Sequence, residues 1–329
     1  MFQATLTQMA VLAIYMIIGF IVAKLKIVPD GSTKVLSKLE NTVFIPALVL
    51  FTFITNFTTE NLTTAWKLLV FAIIVVLVTI PLAMLIARIA TRDGYIQKIY
   101  TYGLSFSNFG FMGNAVVLAL FPEYFTYYVI FTLPLWTAIY VWGAPFLLMG
   151  DDENVEGENK TKTSNKKSIW SLLKNLINPM FISLIIGAIV GISGLGAILP
   201  SFIVDVIKGC QNCMSPIAMI MTGMTFASLD FKKMFTNWSV YFISVIRLVV
   251  LPCLFVGLYY LITWAFSITL PHEFFVCLVA SSAMPLGLNT IVIPAAYGKD
   301  VSVASGMALI SHLMSIITIP ILMGIFLPV

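Results

Sequence analysis

The chain has 329 residues, of which 60% are hydrophobic and only 10% are charged. Soluble domains carry roughly 25% charged residues, so this chain lacks the polar side chains to cover a water-facing surface, and a membrane protein is expected. The formal net charge of +4 is not gathered into a basic face outside the apolar stretches, which argues against nucleic-acid binding.

Ten apolar segments follow one another along the chain, each of a length that suits a helix crossing the lipid bilayer. They cover residues 6–23, 36–54, 67–89, 96–120, 125–149, 171–193, 201–227, 238–265, 274–296 and 302–327. A charged stretch at 150–167 is too short for a domain and is typical of a flexible linker. The sequence therefore predicts an all-α polytopic membrane protein with a first five-helix repeat (1–150), a linker (151–168) and a second five-helix repeat (169–329).

The basic residues indicate how the segments are oriented. If the N-terminus lies outside, 15 of the 18 lysines and arginines fall on the inner side, and the outer loops hold almost none. Basic residues concentrate in the cytoplasmic loops of membrane proteins. We therefore expect a multi-pass protein of the cell membrane, with both termini outside and the central loop in the cytoplasm.

The two halves resemble each other. Ser107 and Asn114 in the fourth segment match Ser282 and Asn289 in the ninth, seven residues apart in both. Further matches keep the same order, at an offset that drifts from 170 to 175: Pro46 with Pro216, Trp66 with Trp238, and Pro81 with Pro252. Because each repeat has an odd number of segments, the second must be inverted. Inverted repeats are typical of secondary transporters.

The fourth and ninth segments are predicted to be broken near their middle. Pro285 removes a backbone donor and clashes with the preceding turn, while Gly110, Gly113 and Gly287 have low helix propensity. Helix N-termini at such breaks carry free N–H groups and positive dipole ends, which attract anions. The residues expected to bind substrate there are Ser107, Asn108, Asn114, Ser281, Ser282, Pro285 and Asn289. Alternatively, the small and amide residues only hold helices together.

Three ionisable residues inside the segments each allow two interpretations. Arg247 either binds an anionic substrate, or it extends to the inner surface or anchors a carbonyl. Asp205 either pairs with Lys208, three residues further on, or takes part in proton coupling. His312 either shuttles protons near neutral pH or is a hydrogen-bonded packing residue.

Motifs of enzymes are missing from the sequence. It contains no H-E-x-x-H, no G-x-S-x-G and no phosphate-binding loop, so we expect neither catalysis nor a cofactor. Cys210 and Cys213 form a C-x-x-C without a second pair. Small core side chains therefore explain them better than a metal or redox site, and no metal is expected.

The broken segments resemble the auxin efflux carrier family, in particular its bacterial members. The stretch SNFGFMG at 107–113 resembles the crossover motif of the family's fourth helix, and AMPLGLN at 283–289 resembles the ninth-helix counterpart. The segment 41–46 also fits, and the resemblance covers essentially the whole chain. Ala115 stands where family members often have a proline, so the break in the fourth segment must rest on its glycines.

This resemblance implies an elevator-type carrier. Helices 1, 2, 6 and 7 would form a scaffold that dimerises in the lipid bilayer, and helices 3–5 and 8–10 would form a moving transport domain. Bacterial relatives are linked with small carboxylates such as malate, so a malate-like organic anion is the expected substrate. Two alternatives remain open: a membrane sensor of the same anions, and a proton- or sodium-coupled carrier of larger amphipathic acids.

Overall fold

A computed structural model describes residues 1–149, 177–228 and 238–327. Within these ranges every regular element is a helix, and β-type pairing is limited to one isolated antiparallel bridge between Ser107 and Leu286. The predicted all-α fold is therefore confirmed. The predicted linker lies outside the described residues.

The described part of the first half of the chain is mainly helical. Its α-helices are α1 (Phe2–Lys24), α2 (Ser32–Leu39), α3 (Ile45–Asn56), α4 (Leu62–Ala90), α5 (Gly94–Ser105), α6 (Asn114–Leu120) and α7 (Phe125–Ala138). Wider π-helical segments at Glu40–Phe44, Phe109–Gly113 and Ile139–Leu148 and a 3₁₀ turn at Pro122–Tyr124 adjoin them.

The described part of the second half is built in the same way. Its α-helices are α8 (Pro179–Ile192), α9 (Ser201–Ala227), α10 (Trp238–Val245), α11 (Leu251–Ala265), α12 (His272–Ser282), α13 (Asn289–Ala296) and α14 (Ser302–Phe326). A 3₁₀ turn at Leu195–Ile198 and a π-helical segment at Ile246–Val250 complete the set in these residues.

Six continuous helical stretches within the described residues are long and apolar enough to cross a membrane. They are Phe2–Lys24, Ser32–Asn56, Leu62–Ala90, Pro122–Leu148, Trp238–Ala265 and Ser302–Phe326. The 27-residue helix α9 is not among them; its first half carries Asp205, Lys208, Gln211 and Asn212. Because six apolar spans exceed what a soluble fold uses, the structure supports a polytopic membrane protein.

Two π-helical segments each end two residues before a proline. Glu40–Phe44 leads to Pro46, and Ile246–Val250 leads to Pro252. A proline has no N–H to donate and its ring clashes with the carbonyl four residues earlier, so the turn before it widens.

One group of helices is held by very close backbone contacts. Helix α1 packs along α9, and α3 packs against α8 and α9. A Cβ atom on Gly19 would lie 1.9 Å from the Ile220 carbonyl oxygen, and one on Gly223 would lie 1.8 Å from that of Met16. Only glycine permits this approach, because small residues let helix backbones meet in membranes.

The remaining helices pack around the two broken segments. Helix α4 packs against α5 and α7, α11 packs against α12, and α10 packs against α14. Helix α1 links this group to the first one through its contacts with α6 and α14. The breaks thus lie inside the protein, where irregular backbone can be satisfied.

Candidate functional site

The fourth and ninth segments are both interrupted. Helix α5 ends at Ser105, Phe106 is extended (φ −122°, ψ 105°), and the helix restarts as a π-helical segment at Phe109. In the ninth segment α12 ends at Ser282, and α13 begins only at Asn289. Each segment is therefore two half-helices joined by unwound backbone.

The two unwound stretches cross and bind each other. The Asn108 backbone N–H donates to the Pro285 carbonyl at 2.7 Å, and the Gly287 N–H donates to the Phe106 carbonyl at 3.3 Å. A Cβ atom on Gly287 would lie 3.3 Å from the Phe106 carbonyl oxygen, so a side chain there would press on the crossing. These bonds replace the helical ones that the breaks remove, as buried backbone requires.

On one side of the crossing, the two half-helices that begin at the breaks converge on a small cavity, here called the N-terminal cavity. It measures about 20 Å³. Its lining includes Tyr102, Asn108, Phe109, Gly110, Trp136, Gly287, Leu288 and Asn289. The first turn of a helix leaves backbone N–H groups unpaired and carries positive potential, so this side of the crossing favours an anion.

Two amide side chains of the N-terminal cavity have specific partners. The Asn289 Nδ2 donates to the Tyr102 hydroxyl at 3.2 Å. The Asn108 Nδ2 lies 3.0 Å from His312 Nε2, and His312 Nδ1 lies 2.7 Å from the Ala308 carbonyl. Since the carbonyl only accepts and the amide nitrogen only donates, the ring is neutral with its proton on Nδ1.

On the other side, the half-helices that end at the breaks border a second cavity of about 20 Å³, here called the C-terminal cavity. Arg247 lies in its lining with only 3% of its surface exposed. The guanidinium donates to the carbonyls of Leu104 (3.1 Å), Met284 (3.3 Å) and Ser281 (3.5 Å). Ser281 O also accepts the Ser107 hydroxyl at 2.8 Å. Of the two predicted roles for Arg247, the structure favours the carbonyl anchor.

Several predicted site residues point into their own helices. Asn114 Nδ2 donates to the Gly110 carbonyl at 2.7 Å, and Asn114 lines neither cavity. The hydroxyls of Ser281 and Ser282 donate to carbonyls three residues earlier, although both residues border the C-terminal cavity. The structure thus brings Ser107, Asn108, Pro285 and Asn289 together at the crossing, but not Asn114.

Gly110 and Gly113 lie after the break rather than in it. Both belong to the π-helical segment that restarts the helix. A Cβ atom on Gly110 would lie 2.3 Å from Trp136 Cζ2, and one on Gly113 would lie 2.1 Å from the Tyr128 hydroxyl. Their role is close packing of aromatic rings against the half-helix.

Asp205 is not part of the crossing. It is exposed near the beginning of α9, as is Lys208, and neither lines either cavity. His312 is buried at the crossing, so of the two candidates for proton coupling it is the one in contact with the candidate site.

Three residues at the site, and Glu40, which lines neither cavity, were not predicted from the sequence. Tyr102 and Ser311 bind Asn289 and the Leu286 N–H, respectively. The Ser105 hydroxyl and both oxygens of the fully buried Glu40 have no hydrogen-bond partner among the described residues. Glu40 could have been predicted, because it is an acidic residue within an apolar segment. The other three residues could not, because their positions at the site depend on contacts between distant parts of the chain.

Comparison with known proteins shows which family this architecture represents. A family model described as membrane transport protein matches residues 4–323. The chain belongs to this family. The match confirms the resemblance to the auxin efflux carrier family, and it identifies the chain as a membrane transporter rather than a member of an enzyme family. No curated protein matches the chain.

For a member of the membrane transport protein family, the crossing of two half-helix pairs is a physically sensible substrate site. Unwound backbone that is packed in protein supplies unpaired N–H groups on one side, and on the other side carbonyls that accept hydrogen bonds from Arg247. As it stands, each cavity has room for about one water molecule. Any solute larger than water therefore requires the helices around the crossing to separate before it binds there.

Proposed function

We propose that the chain is a secondary transporter of small organic anions of the malate type, which bind at the N-terminal cavity. The observation that carries the proposal is the convergence of two helix N-termini on one cavity that also contains the Asn289 amide and the Tyr102 hydroxyl. Backbone N–H groups, an amide and a phenol are all neutral donors. Such donors suit a carboxylate that must be bound and then released.

The polarity of the crossing supports an anion over a cation. The N-terminal cavity lies at the positive ends of two half-helices, and within the described residues its lining contains no acidic side chain. The negative ends face Arg247 instead. An anion on the first side therefore gains from both helix dipoles and meets no like charge.

Transport proceeds by an elevator movement in this proposal. Helices 1, 2, 6 and 7 of the predicted ten form the scaffold, and helices 3–5 and 8–10 carry the site. The glycine-mediated contact between α1 and α9 supports a rigid scaffold, because it joins the first and seventh segments backbone to backbone. We further propose a homodimer in the cell membrane, with both termini outside, from the family resemblance and the distribution of basic residues.

Uptake into liposomes tests this function. The purified protein is reconstituted, and uptake of radiolabelled malate is measured with lactate, malonate and indole-3-acetate as competitors. We expect saturable uptake that Asn289→Ala abolishes. The matched control is Asn212→Ala, which removes an exposed amide on α9 and should transport normally.

Two results would contradict the proposal. Folded wild-type protein that transports none of the four acids would exclude this substrate class. Normal uptake by Asn289→Ala would remove the N-terminal cavity as the binding site. Sodium dependence of uptake would support the ion-coupled alternative, and malate binding without uptake would support the sensor.

A further inference from the structure

The C-terminal cavity concentrates negative potential from both halves of the protein. Helix α5 ends at Ser105 and α12 at Ser282, and each helix end carries roughly half a negative charge. The carbonyls of Leu104 and Ser281 belong to these two ends, and that of Met284 belongs to the unwound stretch. Together the two ends amount to about one elementary charge, which calls for one cation.

Carbonyl groups in this arrangement bind metal cations in other transporters. Unwound backbone and half-helix C-termini coordinate sodium at the broken helices of several transporter folds. Here the three carbonyls are within 3.1 to 3.5 Å of the Arg247 guanidinium nitrogens. The guanidinium, a cation that belongs to the chain itself, therefore occupies the point where three carbonyl oxygens could otherwise bind a free cation.

The position of Arg247 on the backbone fits this role. It belongs to the π-helical segment Ile246–Val250, whose wider turn is explained by Pro252 two residues further on. Only 3% of the surface of Arg247 is exposed, and it donates hydrogen bonds to three backbone carbonyls of the fourth and ninth segments. It thus ties both broken segments to the eighth.

A hydroxyl without a hydrogen-bond partner among the described residues borders the C-terminal cavity. It is the buried Ser105 Oγ, which lines this cavity together with Arg247. Hydroxyl and carbonyl oxygens are the ligands that hard cations such as sodium prefer. If the guanidinium were removed, four oxygens and the space of a long side chain would remain.

We infer that Arg247 is a tethered counter-cation that binds the carbonyl ends of both broken helices in place of a diffusible metal ion. It acts by positioning the crossing, not by contacting substrate in the N-terminal cavity. The inference deepens the proposed function, since a crossing that holds its own cation needs no sodium to assemble the anion site. Its removal should leave a site that a free cation can enter.

The test compares the melting temperature (Tm) of purified wild type, Arg247→Ala and Arg247→Lys in choline chloride, sodium chloride and millimolar guanidinium. We expect the Tm of the wild type and of Arg247→Lys to be the same with each cation. Arg247→Ala should lose about 5 to 10 °C in choline and recover part of the loss in sodium or guanidinium. An Arg247→Ala protein that responds to cations no more than the wild type would overturn the inference.

A second variant keeps the test decisive if Arg247→Ala does not fold. Arg247→Gln still donates N–H groups to carbonyls but carries no charge, whereas Arg247→Lys carries the charge with fewer donors. We expect Arg247→Lys to melt higher than Arg247→Gln; equal or reversed values would show that charge is not what the site requires. These melting measurements use no substrate. The inference about Arg247 can therefore fail while malate uptake is confirmed, and malate uptake can fail while the inference is confirmed.

Discussion

Asn108 and His312 join the break of the fourth segment to the tenth segment, with Asn108 Nδ2 3.0 Å from His312 Nε2. Both side chains are buried, at 2% and 1% exposure. The His312 Nδ1–H donates to the Ala308 carbonyl, so Nε2 can accept from Asn108 only while the ring is neutral. The histidine therefore fixes the orientation of an amide that borders the N-terminal cavity.

We expect His312→Ala to impair malate uptake strongly. The substitution leaves the buried Asn108 amide without its acceptor, which costs roughly 1–3 kcal/mol. If this cost destabilises only the conformation that binds malate, uptake falls by about 5- to 150-fold. The matched control is His272→Ala, since His272 is exposed at the beginning of α12. Uptake by His312→Ala at the wild-type level would show that the Asn108–His312 bond has no part in transport.

Tyr102→Phe tests the phenol of the N-terminal cavity. Removing the hydroxyl deletes the partner of Asn289 and one donor to a bound carboxylate. We expect a higher KM for malate by about 2- to 13-fold, from the 0.5 to 1.5 kcal/mol that a typical hydrogen bond contributes, with little change in Tm.

Tyr100→Phe is the control for this substitution. Tyr100 is equally buried on the same helix, and its hydroxyl bonds to Ser239, away from the crossing. It should leave the KM unchanged. A KM that rises equally in both variants would attribute the effect to packing of α5 instead of substrate contact.

Pro285 and Gly287 show how far the sequence predicts the site. They signal the ninth-segment break locally, and the structure places unwound backbone there, between Ser282 and Asn289. The fourth segment breaks at 106–108, where the sequence has neither proline nor glycine. That break is stabilised by two hydrogen bonds to the second half of the chain: the Asn108 N–H donates to the Pro285 carbonyl, and the Phe106 carbonyl accepts from the Gly287 N–H. A local sequence pattern does not reveal such long-range contacts.

The matched asparagines illustrate the same limit. Asn114 and Asn289 are equivalent in the sequence repeat, and each opens an α-helix after a break. Only Asn289 borders the cavity, because Asn114 follows a five-residue π-helical segment and bonds back to Gly110. The role of Arg247 likewise could be recognised only in the structure. Its partners are backbone carbonyls, and no sequence motif shows which carbonyls lack a helical hydrogen bond.

Glu40→Leu should stabilise the protein. Glu40 is fully buried in the π-helical segment before Pro46, and neither carboxyl oxygen has a hydrogen-bond partner among the described residues. Replacing an unsatisfied buried polar group by a hydrocarbon of similar volume removes a cost of roughly 1–3 kcal/mol. We expect a Tm higher by about 2 to 8 °C, measured in detergent. A fall in Tm of similar size would indicate that the carboxyl group makes a stabilising interaction.

Gly110→Ala and Gly209→Ala should have opposite effects on stability. A Cβ atom on Gly110 would meet the Trp136 ring at 2.3 Å, so the indole or the half-helix must shift, whereas one on Gly209 meets nothing within 4 Å. Gly209 lies inside α9, where alanine gains roughly 0.5–1 kcal/mol over glycine. Overpacking at Gly110 costs roughly 1–3 kcal/mol, and since Trp136 borders the N-terminal cavity, it should also lower malate uptake. Tm and uptake measured on both variants check the prediction, and a Gly110→Ala protein that is as stable and active as Gly209→Ala would mean that Trp136 moves aside freely.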